Sequence, residues 1–232
     1  MSEPTLEPEL PIIDSHHHLF DKAPGLLGRA MGYERFLIDE YTEFVDDGHN
    51  VVGSVIVESP GMDSIVGPED ERWVGATQFL AGQAAMASTG RYRGIRVAAG
   101  IVSTADLRGG ERVPEILEAH MAAGSHYFKG IRQEAMWDPD PSVLMGIFTS
   151  PPQLYLDPSF RKGLTHLGKL GLTFDAFVLA HQLADITDLA HSFPDQRIIL
   201  NHLGNPVGIG AHAGKMEEEY PAWLANMPDI AR

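Results

Sequence analysis

The stretch Pro11-Ile12-Ile13-Asp14-Ser15-His16-His17-His18-Leu19 is an apolar run that ends in an acid and three histidines. Side chains alternate across a strand, so His16 and His18 project to one side while Ser15 and His17 project to the other. Two imidazoles then converge, and neutral imidazole binds zinc and similar ions, polarises a carbonyl or moves a proton. Asp14 is placed to orient one of these rings as a hydrogen-bond acceptor. Two further histidines follow apolar runs in the same way: His181 after Leu172–Leu179, and His202 after Arg197–Leu200. Glu58 ends a third run, Val51–Val57, while Lys129 and Arg132 lie in the run Tyr127–Arg132. The arginine fork matches a carboxylate bidentately, so these two cations meet either a substrate carboxylate or a local acid such as Glu58, Glu134 or Asp175.

What must position these groups is an alternation of strands and helices along the whole chain, the pattern of a parallel sheet covered by helices. After the first strand, apolar residues at helical spacing predict a helix over Tyr33–Asp47, stopped by Gly48-His49-Asn50. Val51–Val57 reads as a second strand, Asp70–Met86 as a helix, Ile95–Val102 as a third strand and Glu111–Ala123 as a helix. Tyr127–Arg132 is a fourth strand, Ser159–Leu170 a helix, Leu172–Leu179 a fifth strand, Leu183–His191 a helix and Arg197–Leu200 a sixth strand. The Pro- and Asp-rich segment Ala135–Tyr155 is a long loop, and long loops inside domains usually serve function. The tail from Ala213 to Asn226 reads as a helix broken at Pro221. In parallel barrels active sites lie at the carboxyl ends of the strands. His16, His18, Glu58, Lys129, Arg132, His181 and His202 pass that filter. His49, His120, His126, His166, His191 and His212 fall on helices or loops and read as surface or packing residues.

At 232 residues and 44% hydrophobic content the chain suffices for one α/β domain, residues 1–232. A net charge of -15 argues against nucleic acid and anionic membrane as partners and for a small-molecule substrate. Cysteine is absent, which excludes disulfides, thiol nucleophiles and thiolate metal ligands. An acidic N-terminus and the lack of a long apolar stretch lead to the expectation of a cytoplasmic protein.

Asp14-Ser15-His16-His17-His18-Leu19, Phe128-Lys129-Gly130-Ile131-Arg132-Gln133 and Ile199-Leu200-Asn201-His202-Leu203-Gly204-Asn205-Pro206 together resemble the motifs of the amidohydrolase-related (amidohydrolase 2) family of TIM-barrel hydrolases. They are most similar to the branch containing sugar lactonases and the 2-pyrone-4,6-dicarboxylate lactonase. The resemblance implies a (β/α)8 barrel and hydrolysis of a lactone or related carboxylic ester of a small anionic substrate. It implies catalytic roles for His16, His18 and His202 and a substrate carboxylate held by cations such as Arg132; Lys129, by its charge, and Glu58, by its place at a strand end, are read as further substrate contacts. Metal-using relatives would hold one divalent ion, zinc or manganese, on His16, His18 and His181; relatives in the lactonase branch often work without metal. The family pairs an acid with the sixth-strand histidine, where this chain has Asn201. The family's eighth-strand aspartate has no counterpart, so the barrel is expected to be truncated after about six strands, with strands 7 and 8 absent. Sheet edges left unpaired in this way predict a homo-oligomer.

Three readings follow: a lactonase-like hydrolase; a divalent-metal-dependent amidohydrolase or decarboxylase; and a non-catalytic binding or assembly module.

Overall fold

Strand follows helix in the order the sequence predicts. The computed structural model describes residues 5–22, 32 and 34–230. They fall into two units, Met1–Thr104 with Glu115–Lys129, and Ala105–Pro114 with Gly130–Arg232.

The first unit begins with β1 (Pro11–His17) and contains β2 (Phe20–Asp21), β3 (Arg35–Phe36), α1 (Ile38–Phe44), β4 (Asn50–Val57), α2 (Arg72–Ala87) and β5 (Arg96–Ser103). Strands β1, β4 and β5 pair in parallel, with Asp14 opposite Ser54 and Ile56 opposite Ile101. The predicted helix over 33–47 is shorter in the structure. Arg35–Phe36 pairs antiparallel with Phe20–Asp21, and α1 starts only at Ile38. Its start is fixed by Glu40, whose Oε2 accepts from the Leu37 N–H at 2.8 Å, satisfying a donor that the helix leaves unpaired. Tyr33 lies outside the described residues.

The unit boundary falls within α3 (Val113–Gly124) and β6 (Phe128–Glu134). The second unit continues with α4 (Pro158–Lys169), β7 (Thr173–Phe177), α5 (Leu183–Ser192), β8 (Ile198–Leu200) and α6 (Met216–Ile230). Parallel pairing sets Arg132 opposite Asp175, and Asp175 opposite Ile199. Helix α4 opens on Asp157, whose Oδ1 accepts from the Ser159 N–H at 2.7 Å, with Pro158 in the first turn, where its missing N–H removes nothing. The buried Tyr155 ties β6 to β7: its hydroxyl donates to the Gln133 carbonyl at 2.5 Å and accepts from the Phe177 N–H at 3.0 Å. Its ring stacks on Phe160 and meets Phe174 edge-on, centroids 4.9 and 5.3 Å apart.

The C-terminal helix departs from expectation. Instead of breaking at Pro221, α6 runs through both Pro221 and Pro228. Each proline removes one intrahelical hydrogen bond, but none of the helix is buried, where such a loss costs less than in a core. No helix among the described residues is long and apolar enough to cross a membrane.

On α3 lies a packing histidine, as expected. His120 is 0% exposed, its Nδ1 is 2.8 Å from Thr77 Oγ1, and its ring stacks on Phe128 at 5.4 Å. Burial lowers its pKa to about 4. The unfolded chain, with the ordinary value near 6.5, therefore binds this proton first, so stability falls as the pH drops from about 6.5 to about 4. The loss from this residue is on the order of 3 kcal/mol. Urea unfolding across that range should show the decline, and His120→Gln should flatten it; an unchanged slope in the variant would exclude His120 as its source.

Candidate functional site

In the first unit the end of β1 gathers the predicted histidines. The His16 and His18 rings lie edge to face with centroids 5.3 Å apart, so strand alternation brings them to one side. His17 is directed elsewhere: its Nε2 is 2.8 Å from Ser54 Oγ and its ring stacks on Tyr41 at 4.1 Å. Burial is the main reason its pKa falls to about 4, so it is neutral at physiological pH. Asp14 takes a different role from the one expected. Its Oδ1 accepts from the His16 backbone N–H at 3.1 Å and its Oδ2 from the Tyr41 hydroxyl at 3.1 Å. It thereby fixes the strand end that carries the imidazoles. Glu58, just past β4, has a left-handed backbone at φ 61°, held by its N–H donating to the Val102 carbonyl at 2.7 Å. A non-glycine residue in that region costs on the order of 1–3 kcal/mol, and such strain concentrates at functional positions.

The second unit assembles a cation, an amide, an acid and an imidazole at the carboxyl ends of β6, β7 and β8. Arg132 is 5% exposed and its guanidinium carbon sits 4.8 Å from the Phe177 ring centroid. Its Nη1 donates to Asn201 Oδ1 at 3.5 Å, and Asn201 Nδ2 donates to Asp175 Oδ2 at 3.0 Å. Asp175 on the neighbouring strand thus reaches Arg132 through Asn201. The His202 ring packs on Phe177 at 5.2 Å. Partial burial, and then the Arg132 charge, lower its pKa, so it is held as neutral imidazole.

His202 sits on a strained turn. His202, Leu203, Gly204 and Asn205 have φ of 50°, 53°, 77° and 43°, four consecutive residues in the left-handed region. The turn is over-determined: Asn205 N–H donates to the His202 carbonyl at 3.1 Å, Ala180 N–H to the Asn205 carbonyl at 3.2 Å, and Asn205 Nδ2 to the Val178 carbonyl at 2.8 Å. Gly204 is required twice over, by its φ and because a Cβ there would lie 2.5 Å from Leu183 Cδ2.

His181 belongs to a third cluster that the sequence did not reveal. Its Nε2 is 3.0 Å from the Trp137 carbonyl and 3.8 Å from Asp138 Oδ2, and its ring stacks parallel to His212 at 6.0 Å. His212, read from sequence as a surface or packing residue, bridges two carboxylates. Its Nε2 is 3.0 Å from Asp138 Oδ2 and its Nδ1 2.7 Å from Glu219 Oε1, and these hydrogen bonds raise its pKa. The expected metal set of His16, His18 and His181 is therefore joined by a second candidate set, Asp138, His181 and His212, whose chemistry suits a divalent ion. The signal for Asp138 was the long loop over 135–155; nothing in the sequence marked His212 or Glu219.

The structure separates the two predicted cations. Lys129 is exposed at the amino end of β6, and its Nζ donates to the His126 carbonyl at 2.6 Å. Three residues along a strand reverse the face and span about 10 Å. Arg132 is therefore the cation at the strand's carboxyl end, and Lys129 is not.

Alternating strands and helices with candidate chemistry at the strand ends are the order of the (β/α)-barrel class. A family model described as amidohydrolase matches residues 13–232, so the chain belongs to the amidohydrolase family. The uncharacterized protein y4mH of Sinorhizobium fredii is 28% identical over 96% of this chain and 72% of its own length. A zinc-bound amidohydrolase from Burkholderia multivorans shares the fold at a TM-score of 0.65 and 19% identity, over 94% of this chain and 65% of its own. A probable 2-pyrone-4,6-dicarboxylic acid hydrolase from Acinetobacter baumannii, solved with citric acid bound, matches at a TM-score of 0.55 and 13% identity, over 92% and 65%. This chain thus spans just under two thirds of the length of these solved relatives.

Gly204→Ala should destabilise the protein by about 1–3 kcal/mol, from the left-handed φ and the Leu183 contact together. Chemical denaturation measures this, and a loss below about 0.5 kcal/mol would show the turn to be unstrained.

Proposed function

We propose that the chain hydrolyses a lactone or a related carboxylic ester of a small anionic substrate. The observation that carries this reading is the buried Arg132 guanidinium and a His202 kept neutral, both packed on Phe177, with β7 between the strands that carry them. A guanidinium there either clamps a substrate carboxylate bidentately or stabilises the oxygen that gains charge as water attacks the carbonyl. A neutral imidazole at the same place polarises the carbonyl or takes a proton from water. Asn201 and Asp175 hold the guanidinium in place. His16 and His18 are assigned carbonyl polarisation or proton transfer on the convergence of their rings, with Asp14 and Tyr41 positioning the segment. Glu58 is assigned to substrate binding, on its strained position at a strand's carboxyl end. Family membership and a fold shared with a probable pyrone-dicarboxylic acid hydrolase support the substrate class.

A divalent-metal-dependent amidohydrolase is the second reading, favoured by the Asp138, His181 and His212 donor set and by the zinc in a protein of the same fold. When bound, a zinc ion would supply Lewis-acid polarisation and a lowered pKa for its water.

A panel of sugar and dicarboxylate lactones followed by pH-stat tests the first reading. Arg132→Met should lower kcat/KM by at least about 100-fold, with partial recovery in Arg132→Lys. Because His202 works as neutral imidazole with a lowered pKa, activity should persist below pH 6.5 and fall only as the pH drops through that lowered value. Turnover that survives both Arg132→Met and His202→Ala would overturn the assignment.

A further inference from the structure

We propose that Asp138, His181 and His212 bind one divalent ion of the zinc type, at a site distinct from the His16, His18 and His181 set that the family resemblance implies. The three side chains come from the loop after β6, the turn after β7 and the turn before α6, all within the second unit. One ligand atom from each lies within 4.8 Å of the other two. Asp138 Oδ2 is 3.0 Å from His212 Nε2 and 3.8 Å from His181 Nε2. Two ligands of one tetrahedral zinc, each about 2.0–2.1 Å from the ion, sit about 3.3 Å apart, so these separations bracket what an ion needs. Two imidazoles and a carboxylate without thiolate are a donor set for zinc or a neighbouring transition ion rather than for calcium or magnesium.

Three observations go beyond proximity. The Asp138 side chain is only 2% exposed, and its Oδ1 is occupied by the Asp140 N–H at 2.7 Å, which turns Oδ2 toward both imidazoles. On the far side of His212, Nδ1 meets Glu219 Oε1 at 2.7 Å. A carboxylate on the outer ring nitrogen is the usual partner of a metal-bound histidine, fixing the tautomer that offers Nε2 to the ion. The backbone is also built in advance. Asp140 Oδ2 accepts from the Ala211 N–H at 2.8 Å, drawing the turn that carries His212 against the loop that carries Asp138. Gly210 makes that approach possible, with φ 56° and a Cβ position 2.6 Å from Ser142 Oγ.

His181 is the adjustable ligand. Its side chain is 37% exposed, and Nε2 would exchange the Trp137 carbonyl for the ion. Three protein ligands with one side open to solvent leave a fourth position for water or a substrate oxygen, the arrangement of catalytic rather than structural zinc. His181 is common to both candidate sets, so substitutions at the residues they do not share separate them.

The test uses the full chain, stripped with a chelator, dialysed, and titrated calorimetrically with Zn²⁺, with Co²⁺ visible absorption in parallel. One equivalent of Zn²⁺ should bind and raise the thermal midpoint. His212→Gln should weaken binding at least about 100-fold, Glu219→Gln about 10–100-fold, and His16→Asn and His18→Asn should leave it unchanged. Glu219 is partly exposed on α6, so its variant keeps the test decisive if one at the buried Asp138 fails to fold. The proposal is overturned if no zinc binds, or if binding survives His212→Gln and Glu219→Gln. Loss in His16→Asn with retention in His212→Gln would overturn it equally, placing the ion on the other set.

Discussion

A guanidinium withdrawn almost wholly from water at the end of a parallel strand is the constraint around which the second unit is arranged. Desolvating a cation costs several kcal/mol unless polar groups and favourable surfaces replace water. Register supplies part of that replacement, since pairing β6 with β7 sets Arg132 opposite Asp175. Asn201 relays the carboxylate to the cation, and the Phe177 face lies against the guanidinium. Partial burial, and after it the same positive charge, lower the His202 pKa and keep the imidazole neutral.

Strained backbone carries part of this chemistry. The left-handed run from His202 to Asn205 is held by three backbone or amide hydrogen bonds, and Gly204 fits beneath Leu183 because it carries no Cβ. The first unit repeats the theme at Glu58, where β4 ends in a left-handed residue pinned to Val102. Backbone conformations this unfavourable persist only where packing over-determines them, and they aim side chains that a regular strand would direct elsewhere.

Much of this was legible along the chain because strand and helix periods are local. The runs read as Val51–Val57, Ile95–Val102, Tyr127–Arg132, Leu172–Leu179 and Arg197–Leu200 each fall on an observed strand, with ends that differ by up to two residues. His16 and His18 followed from alternation alone. What escaped depended on contacts distant in sequence. Asp138 and His212 are 74 residues apart, and only the fold of a long loop against the α6 lead-in brings them together. Asp14 looked like an imidazole partner but serves a backbone N–H and Tyr41, a choice set by where α1 packs. Pro221 suggested a break because propensity cannot know that no residue of α6 is buried, where a lost hydrogen bond costs less.

The interaction between Arg132 and His202 is the element most open to direct measurement. In protein labelled at histidine, with His202 assigned by substitution, NMR titration of its ring should give a pKa below 6.5 that rises toward the ordinary value in Arg132→Met. A His202 that titrates at the ordinary value and ignores the loss of Arg132 would contradict the electrostatic coupling of cation and imidazole.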